Sequence, residues 1–398
     1  MPSGQLHVDD GQRRARLARR HAIHPGHRVS DAVSATRAMT VLHSTEPPTP
    51  YLSLHARVDE ITRADVDRAL YGDRSLVKQL AMRRTLFVFP RDLLPAAWGS
   101  ASARVAGQEW KKIAKDAVLG GLTADGDAWL RDACAAVIER LADGDELSAK
   151  ALREELPVLG GKVRIGGDTK WAADVSLAPR VLTQLGADAR IVRGRNASHW
   201  RVSQPQWTSM AAWLGEVPEP LDEAAGYAEL VRRWLLTFGP GTETDIVWWL
   251  GATKAAVRRA LADLGAVTVS LDSGDAGWLL ADDVEPEPEV EPWGALLPVL
   301  DPTLMGWKQR DFYLDPDHTP YLFDTNGNGG TTAWWNGRVV GCWVQDPDAS
   351  VRVILREDVG ADAVAALDRE AARLTGWLDG EIVNSVYASR QMREARLP

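Results

Sequence analysis

The sequence predicts a mainly α-helical protein with short β-ribbons, an α+β fold of tandem winged helix-turn-helix units followed by a small C-terminal β subdomain. Helical periodicity dominates the chain, stretches of strand type come in short pairs, and a helix-glycine-ribbon pattern occurs twice. The chain has 398 residues, of which 45% are hydrophobic and 25% charged, which suffices for two or three hydrophobic cores.

The composition excludes several classes of protein. Two cysteines, Cys134 and Cys342, are too few for a disulfide framework, and no Cys/His cluster has the spacing of zinc ligands. The N-terminus lacks an apolar core of signal-peptide type, and no apolar run reaches the roughly 18 residues that span a bilayer. We therefore expect a cytoplasmic, nucleoid-associated protein with no metal, no other cofactor and no membrane partner.

The charge distribution is uneven. A net charge of -9 and a pI near 5.5 argue, taken alone, against nucleic-acid binding, which normally requires a basic surface. Residues 74–115, however, contain nine Lys or Arg against only Asp92 and Glu109. These nine are Arg74, Lys78, Arg83, Arg84, Arg91, Arg104, Lys111, Lys112 and Lys115. A local basic surface is predicted within an acidic protein.

Two helices are predicted at the N-terminus. Residues 12–23 form a basic helix, and residues 30–42 form a second one with Ser30 or Asp31 as its N-cap. Prolines from Pro47 onward forbid a continuation of the second helix. His43-Ser44-Thr45 is thus expected at the end of a helix.

Local signals also mark the next elements. Thr62 to Asp65 is a capping-box pattern that opens a helix over 62–71. Residues 86–89 are predicted to form a short strand that ends at Pro90.

A weak repeat occupies the middle of the chain. Residues 180–187 and 259–266 superpose at an offset of 79, and each copy ends a helix at glycine. The ribbons that follow are predicted over 190–193 with 199–202, and over 267–271 with 277–280.

The second copy gives a complete winged-helix outline. Residues 242–250 are predicted as its first helix and 253–264 as its recognition helix, with Gly251 at the turn and Trp248-Trp249 packed inside. Winged helices also serve as protein-interaction modules, and Arg258-Arg259 could equally form a solvated face.

The C-terminal part differs from the winged-helix outline. The acidic Glu/Pro stretch 282–292 predicts a stiff solvated linker, and residues 320–356, with a hairpin turn at 335–338, predict a small antiparallel sheet. A helix over 361–378 is expected to pack on it. The predicted domains are 1–122, the first winged-helix domain with the candidate catalytic segment; 123–218 and 219–283, the second and third; 284–294, the linker; and 295–398, the β subdomain with its terminal helix.

The loop from Asp324 to Gly329 superficially resembles a calcium loop. Its twelfth position is Trp335, where a bidentate glutamate belongs, so no metal site is expected. Asn326 and Asn328 either stabilise a turn or present amides to a phosphate or base.

Several segments together resemble one family over nearly the whole chain. These segments are 50–57, 82–87, 185–186 with 190–195, 248–251, and 300–308 with 326–328. Their order and spacing are similar to those of the winged-helix family that includes the AlkZ and YcaQ alkylpurine DNA glycosylases. The resemblance implies three tandem winged-helix domains around duplex DNA, and a monofunctional glycosylase that excises alkylated or bulky adducted purines in DNA repair or genotoxin self-resistance. We expect a monomer whose partner is double-stranded DNA with a damaged purine.

The resemblance also marks a catalytic position. Characterised members of the family carry Gln-x-Gln or Gln-x-Asp shortly before the Pro-Tyr-Leu segment, and here that position reads His43-Ser44-Thr45. His43 and Thr45 are therefore the predicted catalytic residues, supported by Ser44 and Glu46. A histidine and a hydroxyl can orient and deprotonate the water that attacks an oxocarbenium-like sugar. The alternative is a helix C-cap followed by ordinary capping hydroxyls.

The predicted DNA contacts are polar and mostly cationic. They are Lys78, Arg83, Arg84, Arg193, Arg195, Lys254, Arg258, Lys308, Asn326 and Asn328. The paired guanidiniums of Arg83 and Arg84 suit phosphate oxygens, and their alternative is an ion pair with Asp73 or Asp92. A second hypothesis for the whole chain is a non-catalytic winged-helix DNA-binding protein, transcriptional or lesion-sensing. The length of the array favours the enzyme.

Overall fold

The computed structural model describes residues 6–165 and 172–395, and the chain divides into two compact units. Unit 1 comprises 1–76, 88–90 and 228–398, and unit 2 comprises 77–87 and 91–227. The finer division into three winged-helix domains stays a prediction, and residues 166–171 of the second predicted domain lie outside the described residues.

The helices and strands confirm the mixed α+β class. The helices are α1 (Asp10–Arg20), α2 (Ala32–Ala38), α3 (Thr49–Arg57), α4 (Arg63–Asp67), α5 (Leu94–Ala97), α6 (Ala103–Leu119), α7 (Gly126–Arg140), α8 (Ala149–Glu155), α9 (Ala178–Ala187), α10 (Met210–Leu214), α11 (Glu223–Phe238), α12 (Glu243–Leu250), α13 (Lys254–Asp263), α14 (Pro302–Met305), α15 (Thr319–Leu322), α16 (Gly360–Leu378) and α17 (Arg390–Glu394). The strands are β1 (His7–Val8), β2 (Leu42–His43), β3 (Leu76–Ala81), β4 (Thr85–Pro90), β5 (Leu147–Ser148), β6 (Lys162–Ile165), β7 (Ala173–Ser176), β8 (Ile191–Asn196), β9 (Pro205–Ser209), β10 (Val267–Leu271), β11 (Ala276–Leu279), β12 (Gly294–Leu297), β13 (Thr332–Trp335), β14 (Arg338–Gln345) and β15 (Val351–Leu355). Within the described part of the chain, no helix is long and apolar enough to cross a membrane.

The C-terminal sheet of unit 1 is antiparallel, in the order β12-β13-β14-β15, and α16 packs against it. Asn336 and Gly337 connect β13 to β14 with φ angles of 47° and 79°. Two successive positive φ angles are what a two-residue hairpin turn of type I′ requires, and Asn-Gly tolerates them. The predicted hairpin is confirmed.

The helix-helix-hairpin order predicted for residues 242–280 is also confirmed. Thr242 forms a capping box with Asp245 at the start of α12, and Gly251 ends that helix in the left-handed conformation. Strands β10 and β11 then pair in antiparallel fashion, and β1 adds a third, parallel strand next to β10.

The acidic segment 282–292 is partly anchored on α1. Asp283 accepts hydrogen bonds from Arg20 at 2.6 and 2.7 Å and from Arg16 at 3.0 Å, and Glu287 accepts one from Arg20 at 2.8 Å. The expectation of a fully solvated segment is therefore wrong for Asp283 and Glu287. Because α1 presents a row of guanidiniums, the acidic side chains gain more from pairing with it than from water.

In unit 2, helices α6, α7 and α9 pack around a core that includes Ile113, Leu130 and Leu182. The hairpin after α9 differs from the prediction, because β8 pairs with residues 205–209 and not with 199–202. The Asn196 amide donates to the carbonyls of residues 198, 199 and 202 and accepts from the 204 backbone, so it folds the predicted strand into a loop.

Candidate active site

The segment that contains His43 is extended and does not end a helix. Helix α2, capped by the Asp31 side chain, stops at Ala38, and Thr40 adopts a φ of 63°. The Thr40 hydroxyl is bound to the Arg233 carbonyl at 3.1 Å and lies 2.9 Å from the Thr237 hydroxyl. This anchored left-handed residue turns the chain into β2, so the prediction of a helix through residue 42 is wrong.

The four predicted site residues differ in burial. His43, Ser44 and Glu46 are buried, whereas the Thr45 side chain is exposed. The segment therefore presents one hydroxyl to solvent between buried neighbours, two of which are able to accept a proton.

Glu46 is bound by residues near the C-terminus. One of its carboxylate oxygens, Oε1, accepts a hydrogen bond from the Val386 backbone at 2.8 Å and from the Ser385 hydroxyl at 3.1 Å. Burial raises the pKa of Glu46, although the hydrogen bonds from Val386, Ser385 and Tyr387 act in the opposite direction. The result is a fixed carboxyl group with an increased affinity for a proton.

Tyr387 connects Glu46 with the predicted asparagine loop. Burial raises the pKa of the Tyr387 phenol, and the nearby carboxylates of Glu46 and Asp324 raise it further. The residues around 46, 387 and 324 thus share one electrostatic environment in unit 1.

The asparagine loop is closed on Asp324. The Asp324 carboxylate accepts from the backbones of Asn326 and Asn328 at 2.8 and 2.9 Å, and from the Asn328 amide at 2.8 Å. Burial alone would raise the pKa of Asp324, but these hydrogen bonds outweigh it and lower the pKa. The Asn328 amide therefore stabilises the turn, and Asn326 is exposed.

A buried ion pair supports the segment that follows the candidate site. Arg57, at the end of α3, binds both Asp301 carboxylate oxygens at 2.7 and 2.8 Å, and both side chains are fully buried. The Ser53 hydroxyl donates a hydrogen bond to Asp301 at 2.7 Å, and Arg57 donates one to the Thr303 hydroxyl at 2.8 Å. Two segments that carried the family resemblance, 50–57 and 300–308, therefore meet in the core.

Four of the predicted DNA contacts in unit 2 fall into two groups, because two of them line a pocket and two form ion pairs. Lys78 and Arg193 line one shallow pocket, in which the Arg193 guanidinium lies 5.1 Å from the Trp207 ring centre. Burial lowers the pKa of Arg193. Arg84 pairs with Glu109 at 2.9 Å and Arg195 with Glu146 at 3.5 Å.

Arg83 and Arg84 occupy a strained turn. Their φ angles are 54° and 58°, values that residues other than glycine rarely adopt. Arg84 forms its ion pair with the buried Glu109 and not with Asp73 or Asp92, the two partners considered from the sequence.

The predicted contacts of unit 1 also differ in their partners. Arg258 binds Glu243 through two hydrogen bonds at 2.7 and 3.0 Å, which matches the solvated-face alternative for this helix. Lys254 and Lys308 have exposed side chains, and no carboxylate of the described residues lies within ion-pair distance of either.

Helix α6 carries a basic face that the predicted DNA contacts omitted. Its cations are exposed, and no ion pair joins any of them to another described residue; they are Arg104, Lys111, Lys112 and Lys115. The two acids of this helix, Glu109 and Asp116, pair with Arg84 and Arg180 and not with these cations. The seven- and four-residue spacing of Arg104, Lys111 and Lys115 was the signal that could have identified this face.

The comparison with known families decides the class of protein. A family model described as DNA glycosylase AlkZ-like matches residues 36–377. The chain belongs to the AlkZ-like DNA glycosylase family. It is therefore an enzyme, a DNA glycosylase that acts on DNA, and the resemblance inferred from its sequence segments is confirmed.

A solved structure shows the same fold as this glycosylase. The DNA glycosylase AlkZ of Streptomyces sahachiroi superposes with a TM-score of 0.71 at 20% sequence identity, over 93% of this chain and 98% of that one. None of the curated proteins matches the sequence. The family match includes residues 43–46 and 324–328 but ends before Ser385.

Proposed function

We propose that this glycosylase hydrolyses the N-glycosidic bond of alkylated or bulky natural-product-adducted purines in duplex DNA, in DNA repair or genotoxin self-resistance. The observation that carries the proposal is the exposed Thr45 hydroxyl beside the buried His43 and Glu46. By its sequence resemblance, this segment corresponds to the family's catalytic motif.

The chemistry matches the groups available. An N7-alkylated purine is already cationic and leaves as a neutral base, so no strong general acid is required. His43 and Thr45 position the water, and its attack on the anomeric carbon completes the new C–O bond as the C–N bond breaks. The water's proton passes to His43 or Glu46. A carboxylate at position 46 also stabilises positive charge on the sugar.

DNA contacts are proposed for the cations and amides named from the sequence. Lys254 and Lys308 suit phosphate contacts because their side chains are exposed and neither forms an ion pair with a described carboxylate. Arg84, Arg195 and Arg258 would exchange an existing carboxylate partner for phosphate, so each gains less on binding.

The test uses duplexes with a single N7-methylguanine or a bulky N7 adduct, followed by alkaline cleavage of the abasic product. We expect the wild-type protein to release base, and His43→Ala or Thr45→Ala to reduce the single-turnover rate by roughly 10² to 10⁴. His7→Ala, an exposed histidine of β1, is the matched control and should retain full activity.

Two results would contradict the proposal. If both His43→Ala and Thr45→Ala retain the wild-type rate, the assigned residues are wrong. If duplex DNA is bound but no cationic purine is released, the proposed substrate class is wrong and the glycosylase acts on another kind of base.

A further inference from the structure

Residues 381–389, here the C-terminal segment, lie beyond the part of the chain that the family match covers. The segment has no regular secondary structure but is bound along its length. The buried Gln345 amide donates to the Glu381 carbonyl at 2.9 Å and accepts from the Val383 backbone at 2.8 Å. At its other end, Ser389 caps α17. The segment therefore has a defined position.

Its central turn is built around Glu46. Ser385 donates its hydroxyl to Glu46 and accepts the Tyr387 backbone N–H at 2.9 Å, while the Val386 N–H binds the same Glu46 oxygen. A buried carboxylate that accepts two such donors is held in one orientation. The segment thus determines where the Glu46 charge lies.

Val386, whose backbone N–H binds this carboxylate, carries an apolar side chain that is exposed. Among the large hydrophobic side chains of the described residues, the exposed fraction of Val386, 86%, is the highest. Because the backbone N–H groups of Val386 and Tyr387 are hydrogen-bonded, the exposed Val386 side chain lies on a turn of defined position. An apolar contact next to a few fixed polar groups is the usual composition of a small-ligand site.

We propose that the C-terminal segment forms a wall of the nucleotide-binding site, in which Ser385 is a positioning residue for Glu46 and Val386 contacts the modified purine. The occupant follows from complementarity: a cationic alkylpurine combines positive charge, which the Glu46 carboxylate attracts, with a flat apolar surface, which Val386 can cover. This inference rests on the proposed function.

Ser385 is tested by the pH profile of kcat/KM. The other titratable groups to consider are Tyr387, whose phenol interacts with Glu46 and Asp324, and His43, which lies three residues before Glu46. Removing the Ser385 hydroxyl removes a hydrogen bond that favours the Glu46 carboxylate. Ser385→Ala should therefore move the acidic limb of the pH profile to higher pH and lower kcat about two- to tenfold.

Ser385→Thr is the control, because it keeps the hydroxyl and should retain the wild-type pH profile. An unchanged acidic limb in Ser385→Ala would overturn the positioning role.

Val386 is tested with a bulky N7-adducted duplex. Val386→Ala should raise KM about five- to tenfold with kcat unchanged, because two methyl groups that cover the purine are removed. Val364→Ala, on an exposed position of α16, is the matched control and should behave like wild type. Equal KM values for the wild type and Val386→Ala would contradict the contact.

Equilibrium binding separates failure of this inference from failure of the proposed function. If the wild type releases no base, fluorescence anisotropy with lesion-bearing and undamaged duplexes still compares affinities. A loss of the preference for the lesion-bearing duplex in Val386→Ala supports the contact between Val386 and the modified purine even then. An unchanged preference overturns it.

Discussion

At the residue scale, the Arg57–Asp301 pair determines how two distant segments meet. Both side chains are fully buried, and burial alone would raise the pKa of Asp301, but Arg57 and the other donors lower it. Asp301→Leu would leave a guanidinium uncompensated in the core. Removal of one partner of such a pair typically lowers the free energy of unfolding by about 3–5 kcal/mol. Urea unfolding followed by circular dichroism measures this loss.

An exposed ion pair provides the control for that measurement. Arg259 and Asp263 lie 3.5 Å apart on α13 with largely solvated side chains. Asp263→Leu should change the free energy of unfolding by less than about 1 kcal/mol. Similar losses for Asp301→Leu and Asp263→Leu would show that the buried pair contributes no more than the surface pair.

The candidate site was only partly predictable from residues. The order of the motifs along the chain was enough to propose residues 43–46 as the site, and that assignment stays a prediction. The partners of Glu46 were not predictable, since Ser385 and Val386 lie 339 and 340 positions away and belong to no recognisable motif. Local spacing carries no information about which distant donor reaches a buried carboxylate.

At the element scale, the sequence predicted elements best where a local side chain controls the boundary. The capping boxes at Thr62 and Thr242 begin the expected helices, the first of which continues after Asp67 as a π-helical turn over Arg68–Gly72, and the Asn336-Gly337 turn forms the expected hairpin. The helix expected through residue 42 was too long, because Thr40 takes a left-handed conformation and its hydroxyl binds residues of α11. A tertiary contact of this kind overrides helix propensity.

The anchoring of the acidic segment on α1 yields a prediction for that element. Asp283 accepts three hydrogen bonds from Arg16 and Arg20 and is mostly buried. Asp283→Ala should lower the free energy of unfolding by about 1–3 kcal/mol, because charged hydrogen bonds are removed and two guanidiniums are left partly desolvated. Chemical denaturation of the full chain measures the change.

Glu285 is the matched control in the same segment. Its side chain is exposed, and Arg16 binds only its backbone carbonyl. Glu285→Ala should therefore stay within about 0.5 kcal/mol of wild type. Equal effects at 283 and 285 would mean that the segment is stabilised by its backbone contacts and not by the ion pairs.

At the scale of the whole molecule, the net charge of -9 does not show that some cations are paired with acids while others are not. The guanidiniums of Arg16 and Arg20 are neutralised by the acidic segment, whereas the basic face of α6 has no acidic partner among the described residues. An acidic protein can bind DNA when its cations are left available on one surface and its acids are used elsewhere.

The salt dependence of DNA binding tests whether the α6 face contacts phosphates. Each phosphate that a cation neutralises contributes about 0.9 to the slope of log K against log salt concentration. Replacement of Lys111, Lys112 and Lys115 by Gln should therefore reduce that slope by about 1 for each of these lysines that meets a phosphate, up to about 3.

The matched control replaces three cations of unit 2 that already have carboxylate partners, Arg140, Lys150 and Arg164. Both variants change the net charge equally, so an effect of overall charge would lower both slopes alike. A reduced slope in the α6 variant alone would identify this helix as a phosphate-binding surface, and equal slopes would exclude it.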